Sequence, residues 1–427
     1  MRSFFSLLFP SILTGIAVGL GAVVFLWLID TVLSLFYGSG SFAANIRELP
    51  EWRRVLTPAV GGFFVGLLVM VLKRTDIAGE GVPQVLEAVE SNRSRMQLFV
   101  APLKILTTAI TLGSGGSAGK EGPIVQIGST LGATMGSWFK RNEHDRKILI
   151  AAGAAAGIAG VFNAPIAGVI FSIELITRKF NISHTLTIAL AAIIANIVTR
   201  YSGVKAISIP LNVIPSTDWQ ALVLSIPLGL IAGVLAIIFG FCLYLFTVLF
   251  HHYKVPAFVP TTIGGFMVGC IGLFIPYIHE PMMMPLIAEM LSLNNLSILF
   301  IASVLFAKIL ATGLTLGSGS SGGVFAPALL IGTLLGALYA TFIALFGFGD
   351  AAMTTTFILI GMGSFFAGIT HAPITAIIIL VELTKEPLVL PAVAIGTFVA
   401  YLTAKTIHKD SVYTEHLNRN VGYFKIK

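Results

Sequence analysis

Long apolar stretches recur along the whole chain, separated by short charged or polar segments. About 20 apolar residues in a helix cross a hydrocarbon core of about 30 Å. These stretches are continuous, whereas a transmembrane β-barrel needs segments in which apolar and polar residues alternate. The pattern therefore predicts an all-α polytopic membrane protein, with a single transmembrane domain over 1–427 and a short C-terminal tail at 414–427. The apolar blocks cover about residues 4–36, 55–72, 98–112, 123–139, 147–177, 183–199, 218–250, 257–277, 297–316, 323–347, 353–384 and 387–407.

The composition supports a membrane location. Of the 427 residues, 56 % are hydrophobic and 11 % are charged, whereas about 25 % of the residues of a soluble protein are charged. The 26 Lys and Arg residues against 19 Asp and Glu residues give a net charge of +7, which we assign to basic loops beside membrane spans and not to nucleic-acid binding. We expect the lipid bilayer as partner, in the cell membrane, or the inner membrane if the chain is bacterial. Cys242 and Cys270 lie inside apolar blocks and predict neither a disulfide framework nor a metal site.

An internal repeat divides the chain into two related parts. The segment 104–133 returns 204 residues later as 308–337, with about half of the aligned positions identical. A second pair of similar segments, 153–174 and 361–382, is offset by 208 residues. Two separate matches at nearly the same offset predict that the chain arose by duplication.

Each predicted repeat contains an apolar segment that Gly and Pro interrupt at the corresponding place. We place repeat 1 at about 10–200 and repeat 2 at about 215–407. In transporters built from repeats, the substrate site lies where such broken helices meet near the middle of the bilayer. The Gly-rich turns at 113–122 and 317–326 are therefore the first candidates for a ligand site. These residues alone leave open whether the repeats are parallel or inverted.

The segment Gly119-Lys120-Glu121-Gly122-Pro123 precedes an apolar helix and predicts an anion site. Pro favours the first position of a helix, and the free N–H groups at a helix N-terminus attract negative charge. An ionised Glu121 would compete with an anion for the same N–H groups, and protonation would release the carboxyl group. Glu121 is therefore a candidate gate and proton carrier, since an ionisable residue at membrane depth is costly unless it is functional. The alternative is that Glu121 only caps the helix.

Two further segments have the same arrangement of Gly and Pro before a helix. They are Gly79-Glu80-Gly81-Val82-Pro83 and Gly322-Gly323-Val324-Phe325-Ala326-Pro327. In the repeat alignment Phe325 stands where Glu121 stands in the first half. We predict that the three helix starts converge on one dehydrated anion.

The three segments together resemble the motifs of the CLC family of chloride channels and chloride/proton exchangers, which read GSGIP, G(K/R)EGP and GxFxP in this order. The resemblance extends to Asn163-Ala164-Pro165-Ile166-Ala167-Gly168, to the run from Gly361 to Thr375 and to Tyr413. It covers nearly the whole chain and is closest to the prokaryotic type, without C-terminal CBS domains. It implies two inverted-topology repeats with broken and re-entrant helices, and a homodimer with one pore per subunit.

The resemblance also implies roles for individual residues. Glu121 corresponds to the external gating glutamate, Val324 and Phe325 to residues whose N–H groups bind the anion, and Tyr413 to a residue whose hydroxyl binds it. Without the resemblance, Tyr413 would be interpreted as an aromatic anchor at the membrane interface. The full set of residues expected in the anion-binding selectivity filter is Gly79, Glu80, Gly81, Val82, Pro83, Gly119, Lys120, Glu121, Gly122, Pro123, Gly323, Val324, Phe325, Ala326, Pro327 and Tyr413.

The chain departs from the family at two positions that matter for transport. Glu80 replaces the Ser that meets the central anion, and we expect it to turn away from the anion, with protonation or a second carboxylate gate as the alternatives. Leu175 occupies the position of the exchangers' internal proton-transfer glutamate, and the neighbouring Glu174 is a candidate for the proton path or a helix-capping residue. Lys104 and Lys308 either raise the positive potential along the pore or bind helix-end carbonyl groups.

The prediction for function is CLC-type chloride transport through a pore gated by Glu121. The protein acts as a channel of the voltage-gated type or as a chloride/proton antiporter whose proton coupling is weakened by Leu175. Chloride, and in the antiporter also the proton, is the substrate, and we expect no cofactor and no metal. A fluoride-exporting member of the family is one alternative. A membrane-embedded enzyme acting on a lipid phosphate is another, although the apolar blocks lack paired Asp or His residues at the spacing expected of magnesium ligands.

Overall fold

The computed structural model describes residues 2–40, 42–91, 96–203, 209, 211, 213–216, 218–252, 254–279, 297–347 and 350–419. Residues 420–427 of the predicted tail lie outside this part of the chain. The helices up to residue 201 are α1 Arg2–Tyr37, α2 Phe42–Glu48, α3 Glu51–Leu72, α4 Val82–Glu90, α5 Val100–Gly113, α6 Glu121–Trp138, α7 Glu143–Phe162, α8 Pro165–Phe171 with a π-helical turn Ser172–Thr177, and α9 Ile182–Tyr201. The later helices are α10 Trp219–His251, α11 Phe258–Phe274 with a 3-10 turn Pro276–His279, α12 Ile298–Gly317, α13 Phe325–Ala344, α14 Ala351–Thr370, α15 Pro373–Thr384, a 3-10 turn Pro387–Val389, α16 Leu390–Ile407 and α17 Val412–Arg419.

The predicted all-α membrane architecture is confirmed. Within the described residues, eight helical stretches are long and apolar enough to cross a membrane. They lie in α1, α3, α9, α10, α12, α13, α14 and the stretch Pro387–Glu415, which includes α16. Other apolar helices, among them α5, α8, α11 and α15, have 17 or fewer residues, which is short for a full crossing. This mixture of full and short helices is the broken-helix arrangement expected of a multi-pass transporter.

Two of the long apolar blocks are broken at corresponding places in the two repeats. The first block divides at Asn163 and the second at His371, both of which adopt left-handed backbone conformations with φ of 55° and 58°. In each case an Ala-Pro pair follows, and the Pro begins the next helix. A left-handed residue ends a helix, and Pro then favours the start of a new one. The backbone therefore turns within each block and begins the short helices α8 and α15.

The packing of α3 against α11 gives the relative direction of the two repeats. A Cβ at Gly62 of α3 would collide with the carbonyl oxygen of Thr261, and a Cβ at Gly265 of α11 would collide with that of Pro58. These contacts are reciprocal, as in a two-fold interface, and residue numbers rise along one helix as they fall along the other. The two helices are antiparallel, and the two-fold axis exchanges them. This axis is therefore perpendicular to the helices and lies in the membrane plane. The repeats are inverted, and their boundaries at 10–200 and 215–407 stay a prediction.

Candidate functional site

The three Gly-rich loops meet through backbone hydrogen bonds. The N–H of Gly119 donates to the carbonyl oxygen of Gly323, and the N–H of Gly323 donates to that of Gly119, both at 2.7 Å. The N–H of Gly79 donates to Ser320 at 3.2 Å, and the carbonyl oxygen of Gly79 accepts from Gly322 at 3.1 Å. These bonds satisfy non-helical backbone that lies inside the protein at membrane depth. They bring the N-termini of α4, α6 and α13 together, as expected from the sequence.

Glycine is required where the first and second loops approach each other. A Cβ at Gly122 would collide with the carbonyl oxygen of Glu80, and a Cβ at Gly81 would lie 2.5 Å from the carbonyl oxygen of Gly122. Gly81 also has a φ of 96°, a conformation that other residues rarely adopt. Only glycine at these two positions allows the N-termini of α4 and α6 to pack so closely.

Glu121 lies at the centre of this loop cluster and is 1 % exposed. Its Oε2 accepts a hydrogen bond from the backbone N–H of Ala326 at 3.3 Å, in the first turn of α13. Its Oε1 has no hydrogen-bond partner in the described part of the chain. Since free N–H groups at a helix N-terminus favour negative charge, the carboxylate occupies the position of an anion bound to α13. Glu121 thus interacts with a helix of the other repeat, in addition to being the first residue of its own helix.

An apolar wall and a buried phenol lie beside the carboxylate. Phe325 packs edge-to-face on Phe366, with ring centroids 4.3 Å apart, and its centroid lies 5.2 Å from that of Phe162. Tyr413, near the start of α17, is 1 % exposed, and the charges of both Glu80 and Glu121 act on its phenol. The structure therefore places Tyr413 next to the loops that precede it by about 300 residues.

Glu80 is also buried, with 1 % of its surface exposed. Its Oε2 has no hydrogen-bond partner among the described residues, and the expectation that it turns away from the anion stays a prediction. The charge of the fully buried Lys104 acts on Glu80. The ammonium group of Lys104 donates to the carbonyl oxygens of Ala78 and Gly79 at 2.9 and 2.8 Å. Lys104 thus holds the first loop, which agrees with the carbonyl-binding alternative, and places a positive charge near Glu80.

Lys120, a residue of the predicted selectivity filter, lies directly before α6. Its charge interacts with those of Glu121 and of Asp30 in α1. An ammonium group near the Glu121 carboxylate makes the region attractive to anions.

Glu174 lies at a helix terminus, apart from the loop cluster. Its Oε1 accepts from the N–H of Ile374 at 3.0 Å, and its Oε2 accepts from the N–H and the hydroxyl of Thr375 at 2.8 and 2.7 Å. In the other repeat, Glu382 accepts from the N–H groups of Ile166 and Ala167 at 3.1 and 2.6 Å. Each carboxylate therefore caps the short helix of the opposite repeat. Leu175 is buried and apolar, so it supplies no proton-carrying group.

Sequence reasoning missed a set of hydroxyl groups that hold the loops. Thr108 and Ser321 share a hydrogen bond of 2.8 Å, and their repeat counterparts Thr312 and Ser117 share one of 3.1 Å. The same serines also donate their N–H groups to threonine hydroxyls of the opposite repeat, Ser117 to Thr315 and Ser321 to Thr111. The signal available in the sequence was that each of these hydroxyl residues has the same residue 204 positions away, Thr108 with Thr312, Thr111 with Thr315 and Ser117 with Ser321.

Comparison with known proteins agrees with this geometry. The family model for the voltage-gated chloride channel matches residues 61–405. The chain belongs to the CLC family of voltage-gated chloride channels. This CLC chain is 31 % identical to the H+/Cl− exchange transporter ClcA of Vibrio cholerae serotype O1, over 99 % of the chain and 91 % of that protein.

Solved structures show the same fold. The CLC chain is similar to a slow cyanobacterial Cl−/H+ antiporter, with a TM-score of 0.81, 25 % identity, and coverage of 97 % of this chain and 98 % of the other. It is also similar to a CLC-type fluoride/proton antiporter, with a TM-score of 0.79, 25 % identity, and coverage of 96 % and 97 %. The chain is therefore a multi-pass membrane protein with the CLC transporter fold.

Proposed function

We propose that this CLC protein transports chloride through the site formed by its three Gly-rich loops, with Glu121 as the gate. The observation that carries the proposal is the Glu121 carboxylate on the N–H of Ala326. An anion and this carboxylate need the same N–H groups, so only one of them can occupy the N-terminus of α13. Protonation removes the negative charge from Glu121 and weakens its hold on that position.

The anion-binding groups in this proposal come from both repeats. Backbone N–H groups of Val324, Phe325 and Ala326 face the anion from α13, the segment from Gly119 to Pro123 faces it from α6, and the hydroxyl of Tyr413 binds it from α17. Gly79, Gly81, Val82 and Pro83 shape the first loop, and Gly323 and Pro327 shape the third. Preformed N–H dipoles replace lost water around a dehydrated anion at little reorganisation cost. We expect transport without a metal or organic cofactor, so a chelator should leave chloride flux unchanged.

We propose exchange with protons as the mode of transport. ClcA is named as an H+/Cl− exchange transporter, and the cyanobacterial structure is of a Cl−/H+ antiporter. A gate that opens on protonation couples the two ions, since the same event that admits chloride carries a proton. A passive channel would show chloride flux without proton movement, and measuring both ions in the same vesicles separates these modes.

Chloride efflux from proteoliposomes, measured at acidic and neutral pH, tests the gate. The native chain should transport faster at acidic pH, because protonation frees the anion site. Glu121→Gln, which mimics the protonated carboxyl group, should abolish this dependence. Glu90→Gln is the matched control, since Glu90 is half-exposed in an ion pair with Arg178. Unchanged pH dependence in Glu121→Gln would contradict the gating role.

Fluoride export is the second candidate function. The similarity to the fluoride/proton antiporter is nearly as high as that to the chloride antiporter, with TM-scores of 0.79 and 0.81. The GKEGP form of the second motif and the presence of Tyr413 favour chloride. Parallel efflux of fluoride and chloride from the same vesicles decides between the two ions.

We also propose that the protein is a homodimer with one pore per subunit. The support is the family resemblance, because the site described above is assembled within a single chain. Light scattering of the purified protein in detergent should give twice the mass of one chain, and the mass of a single chain would contradict the proposal.

A further inference from the structure

The chain lacks a proton carrier where its family relatives lead one to expect it. Leu175 is apolar, and both oxygens of the neighbouring Glu174 already accept hydrogen bonds from α15. An exchange mechanism nevertheless needs a group that brings protons to Glu121 from the opposite side of the site. The inference below therefore rests on the proposed exchange function.

Glu80 has the properties of such a group. It is 1 % exposed, and its Oε2 lacks a hydrogen-bond partner within the described ranges. A buried carboxylate with an unpaired oxygen is costly while it is charged, and binding a proton removes this cost. The Glu80 backbone contacts Gly122, the residue after the gate, and Tyr413 interacts with the charges of both Glu80 and Glu121. The two carboxyl groups thus share one site.

A series of titratable groups leads from Glu80 towards the surface. The charge of Glu415 acts on Glu80, and α17, which carries Glu415, packs against α4. The Oε1 of Glu415 lies 3.7 Å from the Nε2 of His408, and the side chains of these two residues are 16 % and 35 % exposed. Exposure therefore decreases stepwise from His408 to Glu415 to Glu80. The charge of Lys104, which is held by the loop carbonyl groups, also acts on Glu80.

We propose that Glu80 is the inner proton carrier of the exchange cycle, supplied through Glu415 and His408, and that it passes its proton to Glu121. In each step an O–H or N–H bond breaks on the donor and an O–H bond forms on the acceptor, so one proton moves and no other bond changes. Neutral Glu80 no longer repels an anion at the N-terminus of α4, whereas ionised Glu80 does. Proton loading of Glu80 thereby favours chloride entry, which couples the two ions.

The test is the number of protons moved per chloride ion, measured in proteoliposomes with a chloride gradient as the driving force. Glu80→Gln should abolish proton movement, and so bring this ratio close to zero, because an amide does not take up and release a proton. Glu80→Asp should retain measurable proton movement, because it keeps a carboxyl group. Glu415→Gln should lower the ratio less than Glu80→Gln does, and Glu90→Gln, an exposed carboxylate paired with Arg178, should leave it at the native value.

A native ratio in Glu80→Gln would overturn the proposal, and a native ratio in Glu415→Gln would overturn the delivery step. If Glu80→Gln does not fold, Glu80→Ser takes its place. A lowered ratio is again the expected result, and a native ratio would again overturn the proposal. A native protein that moves chloride without protons would overturn this inference and leave the Glu121-gated chloride function standing. A native protein that moves no chloride would refute the proposed function itself.

Discussion

Gly119 is the residue against which the Glu121 carboxylate packs. A Cβ at this position would collide with the Oε2 of Glu121, while the next nearest atom, the N of Ala326, would be 3.1 Å away. The end of a Glu side chain can move, whereas the backbone around it is fixed by the bonds between Gly119 and Gly323. The absence of a side chain at residue 119 therefore allows the carboxylate to reach the N–H of Ala326.

Gly119→Ala should displace the Glu121 carboxylate from α13 and raise chloride efflux at neutral pH towards the rate seen at acidic pH. Efflux from proteoliposomes at the two pH values measures the effect. Gly21→Ala is the matched control, since its Cβ would meet the nearest atom at an ordinary 3.7 Å. A native pH profile in Gly119→Ala would show that the carboxylate does not depend on this glycine.

At the residue scale, the sequence predicted the positions of chemical groups better than their partners. Glu121 and its loop could be predicted because Gly, Pro and a carboxylate occur together before an apolar helix. The sequence could not anticipate that Glu80 is only 1 % exposed, since its surroundings come from α5 and α17, and whether it turns away from the anion stays a prediction. The partners of Lys104 are backbone carbonyl groups of a loop about 25 residues earlier. Because every residue has such a group, the sequence does not indicate which residues Lys104 binds.

At the scale of elements, the short helices α8 and α15 both begin at Pro. Their free N–H groups are capped by carboxylates of the opposite repeat, Glu382 and Glu174. A negative charge at a helix N-terminus adds up to about 2 kcal/mol in a partly buried position. These two reciprocal caps fasten the repeats to each other at the broken helices.

Replacing either capping residue by Ala should destabilise the protein by about 1–3 kcal/mol, because the N–H groups at the start of a short helix lose a charged acceptor. The apparent melting temperature in detergent measures the loss, and Glu174→Ala and Glu382→Ala should behave alike. Glu90→Ala serves as the control for loss of an exposed carboxylate. If Glu174→Ala and Glu382→Ala melt at the same temperature as Glu90→Ala, the capping role is contradicted.

The sequence indicated a shared structural role for Glu174 and Glu382 because both occur at the same place in the repeat. It could not identify the N–H groups they bind, which lie about 200 residues away. The positions of the helix breaks were accessible, since Asn163 and His371 precede Ala-Pro pairs. The residue types at the breaks thus indicate where the helices end. The contacts between the repeats stabilise the N-termini of the helices that follow.

At the scale of the whole molecule, the repeat pattern alone left the direction of the repeats open, and the resemblance to the CLC family implied the inverted arrangement, which the structure confirms. Similar segments at a fixed offset fit parallel and inverted arrangements equally well, because both preserve the same residues. The antiparallel contact of α3 with α11 resolves this, and it depends on glycines that let the two backbones touch. The second and third loops meet at the site because the two-fold axis relates them, as the reciprocal bonds between Gly119 and Gly323 show.

Gly62→Ala should weaken this central contact, since its Cβ would collide with the backbone of Thr261. Overpacking of this kind costs about 1–3 kcal/mol. We expect a lower apparent melting temperature in detergent, and Gly265→Ala should have the same effect at the reciprocal contact. Gly240→Ala, whose Cβ would meet the nearest atom at 3.4 Å, is the control. Equal melting of all three variants would show that the contact does not limit stability.

We expect the Glu121 carboxylate and the transported anion to compete for the N-terminus of α13. Anomalous diffraction from bromide-soaked crystals of the native protein and of Glu121→Gln distinguishes the two occupants, because bromide replaces chloride and is visible by its scattering. A bromide peak should lie within hydrogen-bond distance of the Ala326 N–H in Glu121→Gln, and the carboxylate should lie there in the native protein at neutral pH. Bromide beside that N–H in the native protein with Glu121 still in place, or bromide away from the three loops in the variant, would contradict it.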